Sequence, residues 1–236
     1  MSDSHAVPCL PDDPRRLAPL PRAFYDRDPA EVACALLGKL LLREADEGLC
    51  GGRIVEVEAY LSRNDPACHA SRGMTQRNAA MFGPPGRAYV YMIHSRWCLN
   101  AVTEPEGVPS AVLIRAIEPW WGLEAMQRRR GTDVLRDLAR GPARLCEALA
   151  IDRQFNHWDL TCGQGLWIAE GPTTDLPWKI GRSGRIGIRM AQRRLLRFFW
   201  EGNPFVSGRL RLGRGASHSR TQSPAILQRG ARPAQP

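Results

Sequence analysis

The stretch Arg53-Ile54-Val55-Glu56-Val57-Glu58-Ala59-Tyr60 alternates with period two, so it specifies a β-strand with two different faces. Val55, Val57, Ala59 and Leu61 fall on one face, and Ile54, Glu56, Glu58 and Tyr60 on the other. Carboxylates at i and i+2 on one face stand roughly 6–7 Å apart. At that spacing each raises the proton affinity of the other. A solvated strand face tolerates such a pair. So does a site in which one carboxylate works as an acid or base. The stretch alone leaves both open.

Its surroundings extend the pattern. Asp28-Pro29 offers an N-cap followed by proline at the first helical position, with Val32, Ala33, Leu36 and Leu37 on one stripe and Gly38 as the stop. Leu40-Leu41-Leu42 begins a strand, and residues 45–51, ending at Gly51-Gly52, read as the turn of a hairpin over 39–61. Segment 62–87 is polar and long for a connection, which marks it as functional or disordered; its Gly, Pro and Asn content suggests short helical turns. Strand-like runs follow at Ala88–Ile93, Trp97–Thr103 and Ala111–Ile117. Helices are expected from Pro119 and from Gly141-Pro142, then strands at 166–168, 185–188 and 196–200. The pattern gives an α+β class: one domain over 24–208 with a mostly antiparallel sheet, and periodicity alone goes no further. Residues 1–23 read as a loose Pro-rich leader and 209–236 as a disordered basic tail.

Charge narrows the partners. Thirty-three Lys and Arg oppose 24 Asp and Glu, for a formal net charge of +9, which favours a polyanion such as nucleic acid. Only Lys39 and Lys179 are lysines, and neither has an activating neighbour, so Schiff-base chemistry is disfavoured. The seven cysteines are scattered with no Cys-x-x-Cys pair, against a disulfide framework or a zinc site. The first 21 residues lack the apolar run of a signal peptide, and no segment is long and apolar enough to span a bilayer. A cytoplasmic protein with no membrane association is expected.

Several side chains interrupt their local pattern. Tyr89 and Tyr91 share a strand face near His94 and suit either base stacking or sheet packing. Asn100 sits in an apolar strand and needs a hydrogen-bond partner. Arg115 interrupts Ala111–Ile117, and a buried arginine calls for a carboxylate such as Glu58. His69, in the loop, titrates near neutrality and is able to donate to a ligand.

Taken in order, these residues carry a resemblance. Glu58-Ala59-Tyr60, Asp65-Pro66-Ala67-Cys68-His69, Arg77-Asn78-Ala79-Ala80-Met81-Phe82-Gly83-Pro84-Pro85-Gly86, Tyr89-Val90-Tyr91 and Cys98-Leu99-Asn100-Ala101-Val102-Thr103 come first. Val112-Leu113-Ile114-Arg115-Ala116 and Gly141-Pro142-Ala143-Arg144-Leu145-Cys146 follow. Jointly they resemble the alkyladenine (3-methyladenine) DNA glycosylase family, over about Leu36 to Gly208. The resemblance implies a monomeric, monofunctional base-excision repair enzyme with a compact mixed α+β fold, its curved, mostly antiparallel sheet surrounded by helices, and with no metal or cofactor. Its substrate would be double-stranded DNA holding alkylated or deaminated purines, of the 3-methyladenine, ethenoadenine and hypoxanthine class, and it would be nucleoid-associated when acting.

By the same resemblance Glu58 is the general base with Arg115 beside it, Tyr60 and Tyr91 sandwich the flipped base, and His69 stacks or hydrogen-bonds through its backbone. Asn100 refuses the guanine amino group. Arg77, Arg96 and Arg144 are expected on the DNA backbone. Glu56 is left as a structural acid. One departure stands out. The family's Tyr-Val-Tyr-x-x-Tyr-Gly-x-x-x-Cys-x-Asn is here Tyr91-Met92-Ile93-His94-Ser95-Arg96-Trp97-Cys98-Leu99-Asn100, one residue shorter. His94 replaces the wedging tyrosine, with Arg96 or Met92 as alternatives at the gap. A lesion-binding protein without turnover is the competing function.

Overall fold

The computed structural model of the protein describes residues 13–172 and 179–208. Eight strands form one antiparallel sheet: β1 (Leu40–Ala45), β2 (Gly48–Tyr60), β3 (Ala88–Ile93), β4 (Arg96–Thr103), β5 (Ser110–Trp121), β6 (Leu166–Ala169), β7 (Ile180–Ser183) and β8 (Arg197–Trp200). The order is β3-β4-β5-β2-β1-β6, with β8 also paired to β2 and β7 to β8. Among the described residues four α-helices accompany it: α1 (Arg22–Tyr25), α2 (Pro29–Leu36), α3 (Leu123–Arg130) and α4 (Pro142–Ala148). The fold class is α+β with a curled antiparallel sheet.

Strand β2 is the axis. Its first half pairs with β1, Glu56 to Glu58 pair with β8, and β5 runs along the other edge. Flanked on both sides there, the strand is buried on both faces, and Glu56 and Glu58 have no exposed surface. A solvated face is thereby excluded. Two register shifts bracket Glu56. In the first, Ile54 pairs with Ile117 and Glu56 with Ala116, leaving Val55 as the extra residue. Ile54 therefore joins Val55 and Val57 in the main core instead of sharing the carboxylates' face. In the second, Glu56 pairs with Ala116 and Val57 with Ile114, leaving Arg115 as the extra residue on β5. Bulges re-aim side chains next to them, and this one turns Arg115 toward both glutamates.

The main core packs α2 and α4, through Val32, Leu36, Leu145 and Leu149, against one face of the sheet. Asp28 caps α2, accepting from the Ala30 and Glu31 amides at 2.8 and 3.3 Å, a contact worth about 1 kcal/mol. On the other face lies a smaller core of Cys68, Ala70, Ala80, Met81, Tyr89, Val102 and Ala111, with Tyr60, Phe82 and Tyr91 against it. The polar segment 62–87 supplies much of this second core. Buried Asn78 holds it in place: its Oδ1 accepts from Thr75 N at 2.6 Å, and its Nδ2 donates to the carbonyls of His69 and Gly73 at 2.9 and 3.0 Å. Short turns, including a 3-10 turn over Ala79–Phe82, run through it, as its Gly, Pro and Asn content suggests.

Four local expectations are corrected. Gly51-Gly52 is not the hairpin turn, which falls at residues 46–47; both glycines lie in β2 because a Cβ would meet the Leu41 carbonyl at 2.6 Å and the Glu118 carbonyl at 2.1 Å. Pro119 ends no strand. It pairs with Gly52 at a register shift inside β5, and the helix starts only after Gly122. Residues 185–188 form a loop rather than a strand, the strand lying at β7. The leader is packed from Asp13 onward: buried Leu20 donates its amide to Ile168 O at 2.7 Å, and Pro19 bridges to Ala169. Residues 1–12 and the basic tail lie outside the described residues.

Candidate active site

Glu58 sits near the C-terminal end of β2 with three donors on its carboxylate. Oε1 accepts from the Ile186 amide at 2.7 Å and lies 3.1 Å from an Arg115 guanidinium nitrogen. Oε2 accepts the Tyr60 hydroxyl at 2.9 Å. A carboxylate offers about four lone-pair sites, so an acceptor position remains on Oε2. Glu56, two residues earlier, is saturated. Its Oε1 takes Arg115 Nε at 2.8 Å, Arg197 Nε at 2.7 Å and the Ser207 hydroxyl at 2.9 Å, while Oε2 takes the Ser207 amide at 2.6 Å. Burial alone would raise the Glu56 carboxyl, but Arg115, Arg197 and the Ser207 amide outweigh it and hold it below the usual carboxylate range. Arg115 thus joins the two acids, one through each side of its fork.

Beside Glu58 opens a cavity of about 300 Å³. All three groups that hold Glu58, Tyr60, Arg115 and Ile186, line it. Tyr89, Tyr91, His69 and Asn100 line it as well, so side chains far apart in sequence meet with Tyr60 and Arg115 at one concavity. The strand period explains the meeting: Tyr89 and Tyr91 share a face of β3, Asn100 pairs with Tyr89 on β4, and Leu113 and Arg115 come from β5. Tyr91 packs at 5.2 Å from Tyr89 and edge-on to His69 at 4.5 Å between ring centroids.

Two polar groups in the wall are tied to Tyr89. His69 Nδ1 lies 2.9 Å from the Tyr89 hydroxyl, and Asn100 Nδ2 donates to Tyr89 O at 2.9 Å. Desolvation, then the charge of Arg77, holds the His69 imidazole below its usual value, which favours the neutral ring at pH 7. Burial first, and then neighbouring carboxylate and phenol groups, push the Tyr60 phenol well up, and burial pushes Tyr89 up to about 12. Both remain protonated donors. Among the described residues no group of three His, Cys, Asp or Glu is placed to hold a metal ion.

The rim is built by the β3–β4 hairpin. His94 and Ser95 form its two-residue turn, both with positive φ (46° and 59°), the geometry of a primed hairpin turn. His94 is exposed at the tip together with Met92 and Ile93, and Ile93 also lines the cavity. Arg77 stands near the site, its guanidinium 5.7 Å from the Tyr91 ring and bonded to Met92 O at 2.8 Å. Arg96 and Arg144 are elsewhere engaged, pairing with Glu147 at 3.1 Å and with Asp137 at 3.0 Å.

Four residues that the sequence pattern did not single out complete the arrangement. Arg185 and Ile186 come from the loop after β7, and Arg197 and Ser207 from β8 and the segment after it. Arg185 forms a two-pronged pair with Asp65, 2.6 Å on each side and fully shielded from solvent. An arginine in Arg185-Ile186-Gly187-Ile188 and another in Leu196-Arg197-Phe198-Phe199-Trp200, each inside an apolar run, were the available signals.

Residues 23–204 match the family model described as methylpurine-DNA glycosylase. Similar proteins from Mesorhizobium japonicum, Methanocella arvoryzae and Methanoculleus marisnigri all bear the name "Putative 3-methyladenine DNA glycosylase". The first is 46% identical over 210 residues, covering 88% of this chain and 97% of its own. The second is 47% identical over 195 residues (80% and 96%), and the third 48% over 192 (80% and 99%).

Proposed function

The chain belongs to the methylpurine-DNA glycosylase family, enzymes of DNA repair that cleave N-glycosyl bonds, and from that premise we propose that it flips alkylated or deaminated purines out of duplex DNA and hydrolyses their bond to the sugar with a Glu58-activated water. The observation that carries this is the Glu58 carboxylate, held by three donors that themselves line an aromatic cavity. Flipping costs a few kcal/mol, less for a damaged or mispaired base. Tyr60 and Tyr91 then take the base between them, with His69 edge-on to Tyr91. The open acceptor position on Oε2 takes the water proton, and the carboxylate's charge stabilises the oxocarbenium-like transition state. Arg115, 3.1 Å from Oε1, keeps Glu58 aligned. Asn100, fixed by its bond to Tyr89 O, presents its amide to the purine edge where a guanine amino group would collide.

The hairpin tip fills the gap left by the flipped nucleotide. His94 is at its apex, but the apolar Met92 and Ile93 flank it, and apolar wedges between base steps are a recurring device. Arg77 serves the DNA backbone beside the site; Arg96 and Arg144, already paired with acids, serve it only by exchanging partners. The enzyme works as a monomer on nucleoid DNA in the cytoplasm, without metal or cofactor. The test is release of base from duplexes carrying ethenoadenine, hypoxanthine or 3-methyladenine, read as alkali-revealed strand breaks. Background cleavage with all three refutes the proposal. The tip without the family's wedging tyrosine favours one second reading, lesion binding without turnover; lesion-selective affinity with no product would select it.

A further inference from the structure

Tyr60 has two ring faces, and the structure fills one of them. Arg185 lies over the ring, its guanidinium carbon 4.5 Å from the centroid. Tyr60 lines the cavity, whereas Arg185 is buried and does not. The guanidinium therefore backs the ring on the side away from the cavity. It is fixed there. One nitrogen donates to Ala59 O at 2.9 Å and to Asp65 Oδ2 at 2.6 Å, the other to Asp65 Oδ1 at 2.6 Å. Asp65 in turn accepts the Leu61 amide at 3.1 Å. Both residues flanking Tyr60 in the chain are thus tied to the cation behind its ring.

A ring attracts a cation through its negative π-face. With Arg185 on one face, that density is drawn backward. A second cation stacked on the cavity face at van der Waals distance meets a depleted ring and a like charge roughly 8 Å away, and a neutral base meets neither penalty. Asp65 cancels the net charge of the pair, yet the guanidinium is the pole set over the ring. Glu58, accepting the Tyr60 hydroxyl, pushes density the other way, so Arg185 moderates a ring that would otherwise favour cations strongly.

Resting on the glycosylase function, we propose that Arg185 is a specificity-determining residue acting through Tyr60, lowering the enzyme's preference for cationic alkylated purines relative to neutral lesions. A purely structural Arg185, holding loop 62–73 to β2, would slow all lesions by one common factor when altered. The proposal predicts a change in their ratio.

The experiment compares kcat/KM for duplexes carrying 3-methyladenine (cationic in the nucleotide and without a guanine amino group) with those carrying ethenoadenine or hypoxanthine (neutral), alongside thermal melting. Two variants are used: the double variant Arg185→Gln with Asp65→Asn, which removes both charges and keeps a hydrogen-bonding pair, and Arg185→Lys, which keeps the ion pair but withdraws the planar cation from the ring. The cationic-to-neutral ratio is expected to rise about threefold or more in the double variant and about twofold in the lysine variant. A ratio unchanged or lowered in the double variant overturns the inference, whatever the absolute rates; if that variant does not fold, an unchanged ratio in Arg185→Lys decides the same way. No release of any lesion by the unaltered protein refutes the enzymatic function itself, and the inference falls with it. Release by the unaltered protein with a fixed ratio refutes the inference alone.

Discussion

Replacing Glu56 by glutamine separates the two carboxylates of β2 by their work. Glu56 is fully buried between Arg115 and Arg197, 2.8 and 2.7 Å away, and also accepts the Ser207 amide and hydroxyl. Glutamine has nearly the same shape, but its NH2 must face either the Ser207 amide or the two arginine Nε groups, so a donor meets a donor in both orientations. Arg197 also loses its acidic partner, while Arg115 keeps Glu58. Breaking a buried ion pair this way costs roughly 3–5 kcal/mol, a large share of a typical total of about 5–15 kcal/mol. At roughly 2–4 °C per kcal/mol for a chain of this size, Tm should fall by about 6–20 °C. The effect carries a pH signature. Glu56 is held below its ordinary value in the fold, so its contribution is full above the unfolded value near about 4.3. It is lost as pH falls through the lower folded value. Urea titrations followed by tryptophan fluorescence from pH 7 to pH 3 should therefore show a gap between the two proteins that closes on the acid side. A gap below about 1 kcal/mol at pH 7, or one of constant size down to pH 3, would refute the structural assignment of Glu56.

Two further outcomes follow from the cavity and its rim. Asn100→Ser removes the amide proposed to face the purine edge, so release of lesions bearing the guanine amino group should rise about tenfold relative to adenine-derived ones, at about 1 kcal/mol of stability for the lost bond to Tyr89 O; an unchanged lesion ranking in single-turnover assays would remove Asn100 from selectivity. The pair His94-Ser95 occupies left-handed backbone that an Asn-Gly dipeptide adopts with less strain. The double exchange His94→Asn with Ser95→Gly should raise stability by about 0.5–1 kcal/mol and, if Met92 and Ile93 do the wedging, leave lesion release within about twofold; a tenfold loss would put the wedge on the imidazole.

Much of this arrangement was legible from the sequence because strands carry their own geometry. Period two put Tyr89 with Tyr91, and Glu56 with Glu58 and Tyr60, and antiparallel pairing then brought Asn100 and Arg115 to the same concavity. The pairing of Arg115 with a carboxylate followed from the cost of an unpaired buried charge. What pattern could not give were contacts made by segments without period. Arg185 and Ile186 look like strand residues, yet the arginine is drawn to Asp65 and the isoleucine amide to Glu58, and those bonds hold the segment in a loop. Ser207 reaches Glu56 across 151 positions through backbone and hydroxyl, and no local signal marks such a residue. The bulge that frees Arg115 was equally hidden, since one unpaired residue leaves the alternation of Ala111–Ile117 looking regular. Gly51-Gly52 misled for the opposite reason: the glycines serve close strand approach, not chain reversal.

The central claim is that Glu58 activates the water. Single-turnover release of ethenoadenine from a duplex, measured for the unaltered protein and for Glu58→Gln together with the affinity of each for the lesion, tests it most directly. Loss of general-base and electrostatic assistance should cut the rate by about 10²–10⁴-fold while lesion affinity stays within about threefold, because the amide still accepts the Tyr60 hydroxyl or the Ile186 amide. Release by Glu58→Gln at the rate of the unaltered protein would contradict the account.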